Sequence, residues 1–388
     1  MTESDREFAL DRLAELQRQT LSLLAGHDDT TCRRQHHPEL SPLSWHVGHC
    51  AFVETHWLRE RVRGEAVLGA PHHTLYLPEN TPKTRRPAGL PPRADLAGWV
   101  ETLQAENRRA WREVLADGAH PLLRDDYLLR FVIQHYCQHL ETLRMLLRRL
   151  IPADAAPPAR VEAAASTPDA RLVEVPGGPC RVGTENDPGA YDNELPPREL
   201  QLPCFAIAAR PVSNAEYLAF VRDGGYREPR LWTGEGWEWL RRTAVSAPEH
   251  WVRDGDAGWL LADADGLHAF DPGAPVDGLS LHEARAFARW AGCRLPHEYE
   301  WEAACRAGLL RDMGRVWEWC DNTFHPYPGF HAFPYDGYSM PWFDGTHYVL
   351  RGGSRHTEPE IRRPGFRNFY QADQRHMFAG LRLARDAG

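Results

Sequence analysis

Apolar residues in the first 150 positions recur every three or four residues, the period of an α-helix. Phe8, Leu10, Leu13 and Leu16 open the series, followed by Leu21, Leu23 and Leu24. Ser41-Pro42 predicts a second start, with Ser41 as N-cap and Pro42 as the first helical residue. That helix runs through His49, Phe52, Trp57 and Leu58. A third is predicted over 95–115, with Leu96, Trp99, Leu103 and Trp111 on one stripe, and a fourth over 126–150. Residues 71–93, rich in Pro, Asn, Thr and Arg, predict a long ordered loop. Four helices with one long crossover predict a four-helix bundle.

The pattern then changes. Residues 152–168 hold Pro and Ala with almost no large apolar side chains and predict a linker. Beyond it, short apolar runs alternate with turn signals, and only 214–222 and 281–290 show helical periodicity. The rest is expected to be irregular, with short strands. Gly352-Gly353 lacks a Lys-Ser/Thr continuation and predicts a tight turn, not a phosphate loop. The scheme is an α+β chain with a helical domain over 1–152, a linker over 153–169 and a second domain over 170–388.

Composition narrows the function classes. With 45 basic and 54 acidic residues the net charge is -9, which gives a nucleic-acid or anionic-membrane partner no support. No run of eighteen apolar residues exists. The charged, amphipathic start MTESDREFALDRLAELQ does not resemble a secretory signal, so a cytoplasmic location is expected. The eight cysteines show no CxxC spacing and are expected as reduced thiols.

Histidine, with 20 residues, carries the candidate chemistry. His135 and His139 are four apart, so on a helix both imidazoles leave one face. A third imidazole from Trp45-His46-Val47-Gly48-His49 completes a three-histidine face, and both His46 and His49 are placed to supply it. Neutral imidazoles suit a divalent transition metal and leave coordination positions open. The nitrogens not on metal call for carboxylate or carbonyl acceptors, with Glu54 and Glu141 as candidates. His56, two turns beyond His49, is expected to be structural.

Ordered motifs then give a family resemblance. The second half carries Pro211-Val212-Ser213-Asn214-Ala215-Glu216-Tyr217, Arg294-Leu295-Pro296-His297-Glu298-Tyr299-Glu300-Trp301-Glu302, Gly314-Arg315-Val316-Trp317-Glu318-Trp319, Val349-Leu350-Arg351-Gly352-Gly353-Ser354 and Gly380-Leu381-Arg382. These resemble the formylglycine-generating-enzyme/sulfatase-modifying fold, and the first half resembles a DinB-like four-helix bundle. That order of domains resembles the ergothioneine-biosynthesis sulfoxide synthase family, which includes ovothiol-type and selenoneine synthases.

The resemblance implies an iron(II)- and O2-dependent enzyme that joins sulfur or selenium to an imidazole carbon, with hercynine as the acceptor. It selects His49 with His135 and His139 as iron ligands and leaves His46 an orienting role. It places Gln138 on the imidazole substrate, makes Tyr335 of Phe333-Pro334-Tyr335-Asp336-Gly337-Tyr338-Ser339 the proton donor, and sets Tyr338 and Asn368 in the substrate pocket. Hercynine's quaternary ammonium cannot donate a hydrogen bond, so ring faces from Phe369, Tyr370 and Tyr338 are expected to hold it.

The chain departs from the family's Trp-Asp after Asn368, where it has Phe369-Tyr370. The basic pair that grips a γ-glutamyl-cysteine donor is only loosely matched near Lys83 and Arg86. These departures favour a selenosugar donor, as in selenoneine synthases. The alternatives are an ergothioneine-type enzyme using cysteine or γ-glutamyl-cysteine, an ovothiol-type enzyme using histidine, and a non-catalytic binding module. Formylglycine generation is disfavoured, because that chemistry needs cysteines near the C-terminal end and none follows Cys320.

Overall fold

A computed structural model describes residues 2–151, 165, 166, 171–255 and 258–387. The predicted linker lies outside the described residues except at 165 and 166. Two compact units result, Met1–Leu150 and Ile151–Gly388.

The first unit is helical. Its long elements are α1 (Glu3–Ala25), α3 (Leu43–Thr55), α6 (Arg93–Asp117) and α7 (Tyr127–Leu147), with a short α2 (Asp29–Arg33) between the first two. The four long helices pack on one another, as the spacing of their apolar residues requires. Leu10, Leu13, Leu16 and Leu24 are buried, whereas Phe8, on the same stripe in sequence, is 76% exposed. Glu54 lies at the centre of the bundle. Its carboxylate accepts from Gln17 Nε2 of α1 (2.9 Å), Trp111 Nε1 of α6 (3.1 Å) and Tyr136 Oη of α7 (3.1 Å). One acidic side chain therefore stitches all four helices, and burial pushes its pKa up to about 7 against those hydrogen bonds.

Two expectations change here. Pro42, not Ser41, occupies the N-cap position of α3. Ser41 Oγ instead accepts from Arg86 Nη1 at 2.5 Å. The stretch read as loop contains α4 (Ala70–Tyr76), a 3-10 turn at Lys83–Arg85 and α5 (Arg86–Gly89). Isolated helices this short are unstable, so tertiary contacts must supply the difference. The last four carbonyls of α4 receive them. His73 O accepts from Asn80 Nδ2, Thr74 O from Thr81 Oγ1, Leu75 O from Trp45 Nε1 and Tyr76 O from His49 Nδ1.

The second unit holds short strands and helices. A three-stranded sheet runs in the order β1 (Leu172–Val175), β4 (Phe205–Ala208), β12 (Ala384–Asp386), all antiparallel neighbours. A four-stranded sheet runs β10 (Asn368–Gln371), β9 (His347–Arg351), β8 (Trp317–Thr323), β11 (Ala379–Gly380). β2 (Gly178–Val182) pairs with β3 (Arg198–Leu202), and β5 (Trp251–Arg253), β6 (Trp259–Asp263) and β7 (Gly266–Ala269) form a meander. The two predicted helices are α8 (Asn214–Arg222) and α10 (Leu281–Trp290), each opened by a serine capping box. Two more, α9 (Gly234–Thr243) and α11 (Glu298–Arg306), were not expected.

The sequence motifs of this unit build its core. Glu318 takes a two-pronged ion pair from Arg382 (2.7 Å each) and a hydrogen bond from Trp301 Nε1 (2.6 Å). Arg351 pairs with Glu302, and Arg367 with Glu298 (2.8 and 2.9 Å), all of them buried. Gly352 and Gly353 both take positive φ, 94° and 84°, as a tight turn after β9 demands.

Candidate metal centre

The centre is built from α3 and α7. His135 and His139 stand one turn apart on α7 with ring centroids 4.5 Å apart, and His49 of α3 faces both. One nitrogen from each of the three lies within 4.8 Å of the others. His49 Nε2 and His135 Nε2 are 3.1 Å apart. Two ligands about 2.1 Å from a common ion at a right angle stand about 3 Å apart, so this spacing suits shared coordination.

The tautomers are set by neighbours. His49 Nδ1 donates to the Tyr76 carbonyl at 2.7 Å, which leaves Nε2 as a bare lone pair. His46 does not join the three. Its Nδ1 lies 2.9 Å from His139 Nδ1, and the tautomer that bares His139 Nε2 has His139 donating to His46. His135 Nδ1 and His46 Nε2 are buried without a hydrogen-bond partner among the described residues. Burial drives the His49 pKa down to about 4, opposed by the bond to Tyr76. Burial, then mutual repulsion, holds His46, His135 and His139 well below the usual imidazole range. The cluster therefore presents neutral nitrogen donors at neutral pH, a set that fits a borderline divalent transition ion and not Ca2+ or Mg2+.

Trp45 supports this arrangement. Its ring stacks on His49 (4.4 Å, 12°), its Nε1 reaches Leu75 O (2.8 Å), and the Arg86 guanidinium lies 3.8 Å from the ring. Neither expected carboxylate orients His49, since Glu54 is engaged by the bundle core and the acceptor is a backbone carbonyl. Sequence reading missed Tyr76 because the contact joins positions 27 residues apart through a carbonyl that any residue supplies. Arg86 is buried and donates to Ser41, Thr81 O and Pro78 O, while Lys83 pairs with Glu39 at 3.2 Å. Gln138 is half-buried on α7.

The remaining expected site residues belong to the second unit. Tyr335 sits on a loop with 42% of its surface exposed. Asp192 holds both ends of that loop, accepting from Phe333 N (3.3 Å) and Ser339 Oγ (2.5 Å), and Tyr338 stacks on Tyr191 (4.3 Å, 14°). Arg367 donates to Asn193 O (2.8 Å), so the same 191–194 turn also anchors the start of β10. Asn368 Oδ1 accepts from Phe369 N at 3.0 Å. Phe369 stacks on Phe324 (4.2 Å, 15°) and packs against the core, and Tyr370 meets His376 edge to face (5.6 Å). No sequence signal marked Asp192.

Comparison with known proteins agrees with this architecture. The DinB superfamily model matches residues 12–143, and the sulfatase-modifying factor enzyme 1-like domain matches 157–313 and 308–387. The hercynine oxygenase of Mycolicibacterium smegmatis is 33% identical over 441 residues, covering 98% of this chain and 99% of that protein. That of Mycobacterium tuberculosis is 32% identical over 433 residues, covering 96% and 97%. The formylglycine-generating enzyme of Thermomonospora curvata is 38% identical over 152 residues, 36% of this chain and 49% of its own. With both domains matched in order and nearly the whole length shared, the chain belongs to the hercynine oxygenase family.

Proposed function

We propose that the protein is an iron(II)- and dioxygen-dependent enzyme that forms a carbon–chalcogen bond at the imidazole C2 of hercynine, with a selenosugar as the donor. The observation that carries the reading is the set of three neutral imidazoles, His49, His135 and His139, in a chain of this family. Iron(II) bound there supplies the reduction of dioxygen and the one-electron chemistry of bond formation. Three neutral ligands leave the positive charge of the site uncompensated, which favours an anionic selenolate or thiolate beside it. His46, Trp45 and the Tyr76 carbonyl keep the ligand rings in place and in the right tautomer.

In this reading Gln138 and Asn368 hydrogen-bond the substrate's imidazole and carboxylate. Tyr335 donates a proton through its phenol, and the Asp192 clamp positions the loop that carries it. Tyr338, Phe369 and Tyr370 offer ring faces for the trimethylammonium. Arg86 is engaged by its own loop, which removes the buried member of the basic stretch 83–86 as a grip for the carboxylates of γ-glutamyl-cysteine.

The test is anaerobic loading with iron(II), then addition of oxygen, hercynine and a panel of donors, followed by mass spectrometry. A seleno-adduct from the selenosugar and none from cysteine or γ-glutamyl-cysteine is expected. Turnover of the thiol donors alone would establish the ergothioneine-type reading. Turnover of histidine in place of hercynine would establish the ovothiol-type one.

A further inference from the structure

Beyond the three-histidine centre, the α3 helix passes at His56 into a π-helical stretch, His56–Val62. Such turns are rare and gather at functional sites. Here the stretch brings His56 Nδ1 to 2.8 Å from Glu60 Oε2. From α4, His73 Nε2 approaches the same oxygen at 3.2 Å. One donor atom from each residue lies within 4.8 Å of the others. These separations bracket the roughly 3 Å expected of neighbouring ligands on one ion.

The surroundings hold the carboxylate in a ligating pose. Glu60 Oε1 accepts from the Leu68 amide at 2.9 Å, which turns Oε2 to the imidazoles. The nearby guanidinium groups are engaged elsewhere, Arg59 with Glu65 and Glu106, and Arg63 with Glu65 and Glu113. Phe52 walls the group, parallel to His56 (5.8 Å, 5°) and edge-on to His73 (5.3 Å, 89°). Side-chain exposure runs from 13% at Glu60 to 30% at His73, so an ion can enter from solvent and keep water as its remaining ligands.

We propose that His56, Glu60 and His73 form a second metal site, for a divalent ion of the zinc type, separate from the three-histidine centre. Two imidazoles and one carboxylate are a common ligand set for such an ion. The site also has a structural consequence. α4 has no side-chain N-cap, yet it carries both His73 and the Tyr76 carbonyl that receives His49. An ion on His73 ties α4 to α3 and so steadies the acceptor that orients a ligand of the first centre.

Zinc retained after dialysis of the full chain, measured by mass spectrometry, tests the proposal. The double variant His135→Ala/His139→Ala should still retain about one equivalent. Adding His73→Ala, or Glu60→Gln, which keeps the shape of the side chain and removes its charge, should abolish it. In the parent protein either single change should lower retention by one equivalent, a readout that stands if the double variant does not fold. A folded double variant that holds no zinc would overturn the proposal, since the three groups would then only hydrogen-bond one another. Retention unchanged by His73→Ala or Glu60→Gln would overturn it too.

Discussion

Gly48→Ala separates local helix preference from packing at the metal centre. A glycine inside a helix costs about 0.5–1 kcal/mol relative to alanine, so propensity alone predicts a more stable protein. The tertiary structure predicts the opposite. A Cβ on Gly48 would lie 2.5 Å from Tyr76 Cζ and Oη and 2.6 Å from Cε1. The Tyr76 ring is buried, stacked on Trp99 (5.6 Å, 12°) and backed by Phe52 (6.0 Å), so it can give way only by displacing its neighbours or its own backbone. Overpacking costs about 1–3 kcal/mol, and contacts this close belong to its upper part, about 2–3 kcal/mol, so the net loss after the propensity gain should be about 1–2.5 kcal/mol. For a unit of this size that is a fall in melting temperature of about 2–10 °C. Movement of Tyr76 also withdraws the carbonyl that fixes His49, and losses of such orienting partners weaken metal binding by about 10–100-fold. Thermal melts and a competitive chelator titration measure the two effects. A variant that melts at or above the parent temperature refutes the packing argument. Unchanged metal affinity in a destabilised variant refutes the link from Tyr76 to His49.

Tyr335→Phe should load metal normally but lose or divert product, and an unchanged product yield in the mass-spectrometric assay removes the phenol from the mechanism. Glu54 makes stability depend on pH in an unusual direction. Its folded pKa of about 7 lies above the ordinary 4.5, so between those values this carboxyl's contribution to stability falls as pH rises. The buried histidines, held below their ordinary 6.5, act the other way, so the readout is the difference between parent and Glu54→Gln. At about 1.4 kcal/mol per pH unit the parent should lose about 3 kcal/mol relative to the variant from pH 4.5 to 7.5, and equal slopes in both proteins would refute a protonated Glu54. Glu318→Gln leaves the buried Arg382 uncompensated and should cost the second unit about 3–5 kcal/mol, measured by denaturant unfolding. A cost below about 1 kcal/mol would show that water reaches the pair.

Local patterns were the legible part of the chain. The four-residue spacing of His135 and His139 put them on one face because helical periodicity depends on nothing beyond the helix itself. The serine capping boxes marked α8 and α10 for the same reason. α4 was missed because its seven residues are held by partners outside it, chiefly Trp45 and His49. α11 opens on a histidine capping box, a weaker signal than serine, and its Glu298 and Glu302 are paired with Arg367 and Arg351, distant in sequence. Ser41 resembled a cap until Arg86, 45 positions away, claimed its hydroxyl.

Sequence alone determined the long helices and the candidate ligand types: an amphipathic bundle, a histidine pair on α7, a histidine-bearing partner helix, and a second domain recognisable by ordered motifs. Helical spacing left His46 and His49 equivalent and the family resemblance selected His49; tertiary structure alone decided which carbonyl orients it and that Glu54 belongs to the core. The physical reason is that periodicity assigns a side chain to a face, while hydrogen-bond partners across a fold are chosen by distance and direction. Those depend on how every other element has packed.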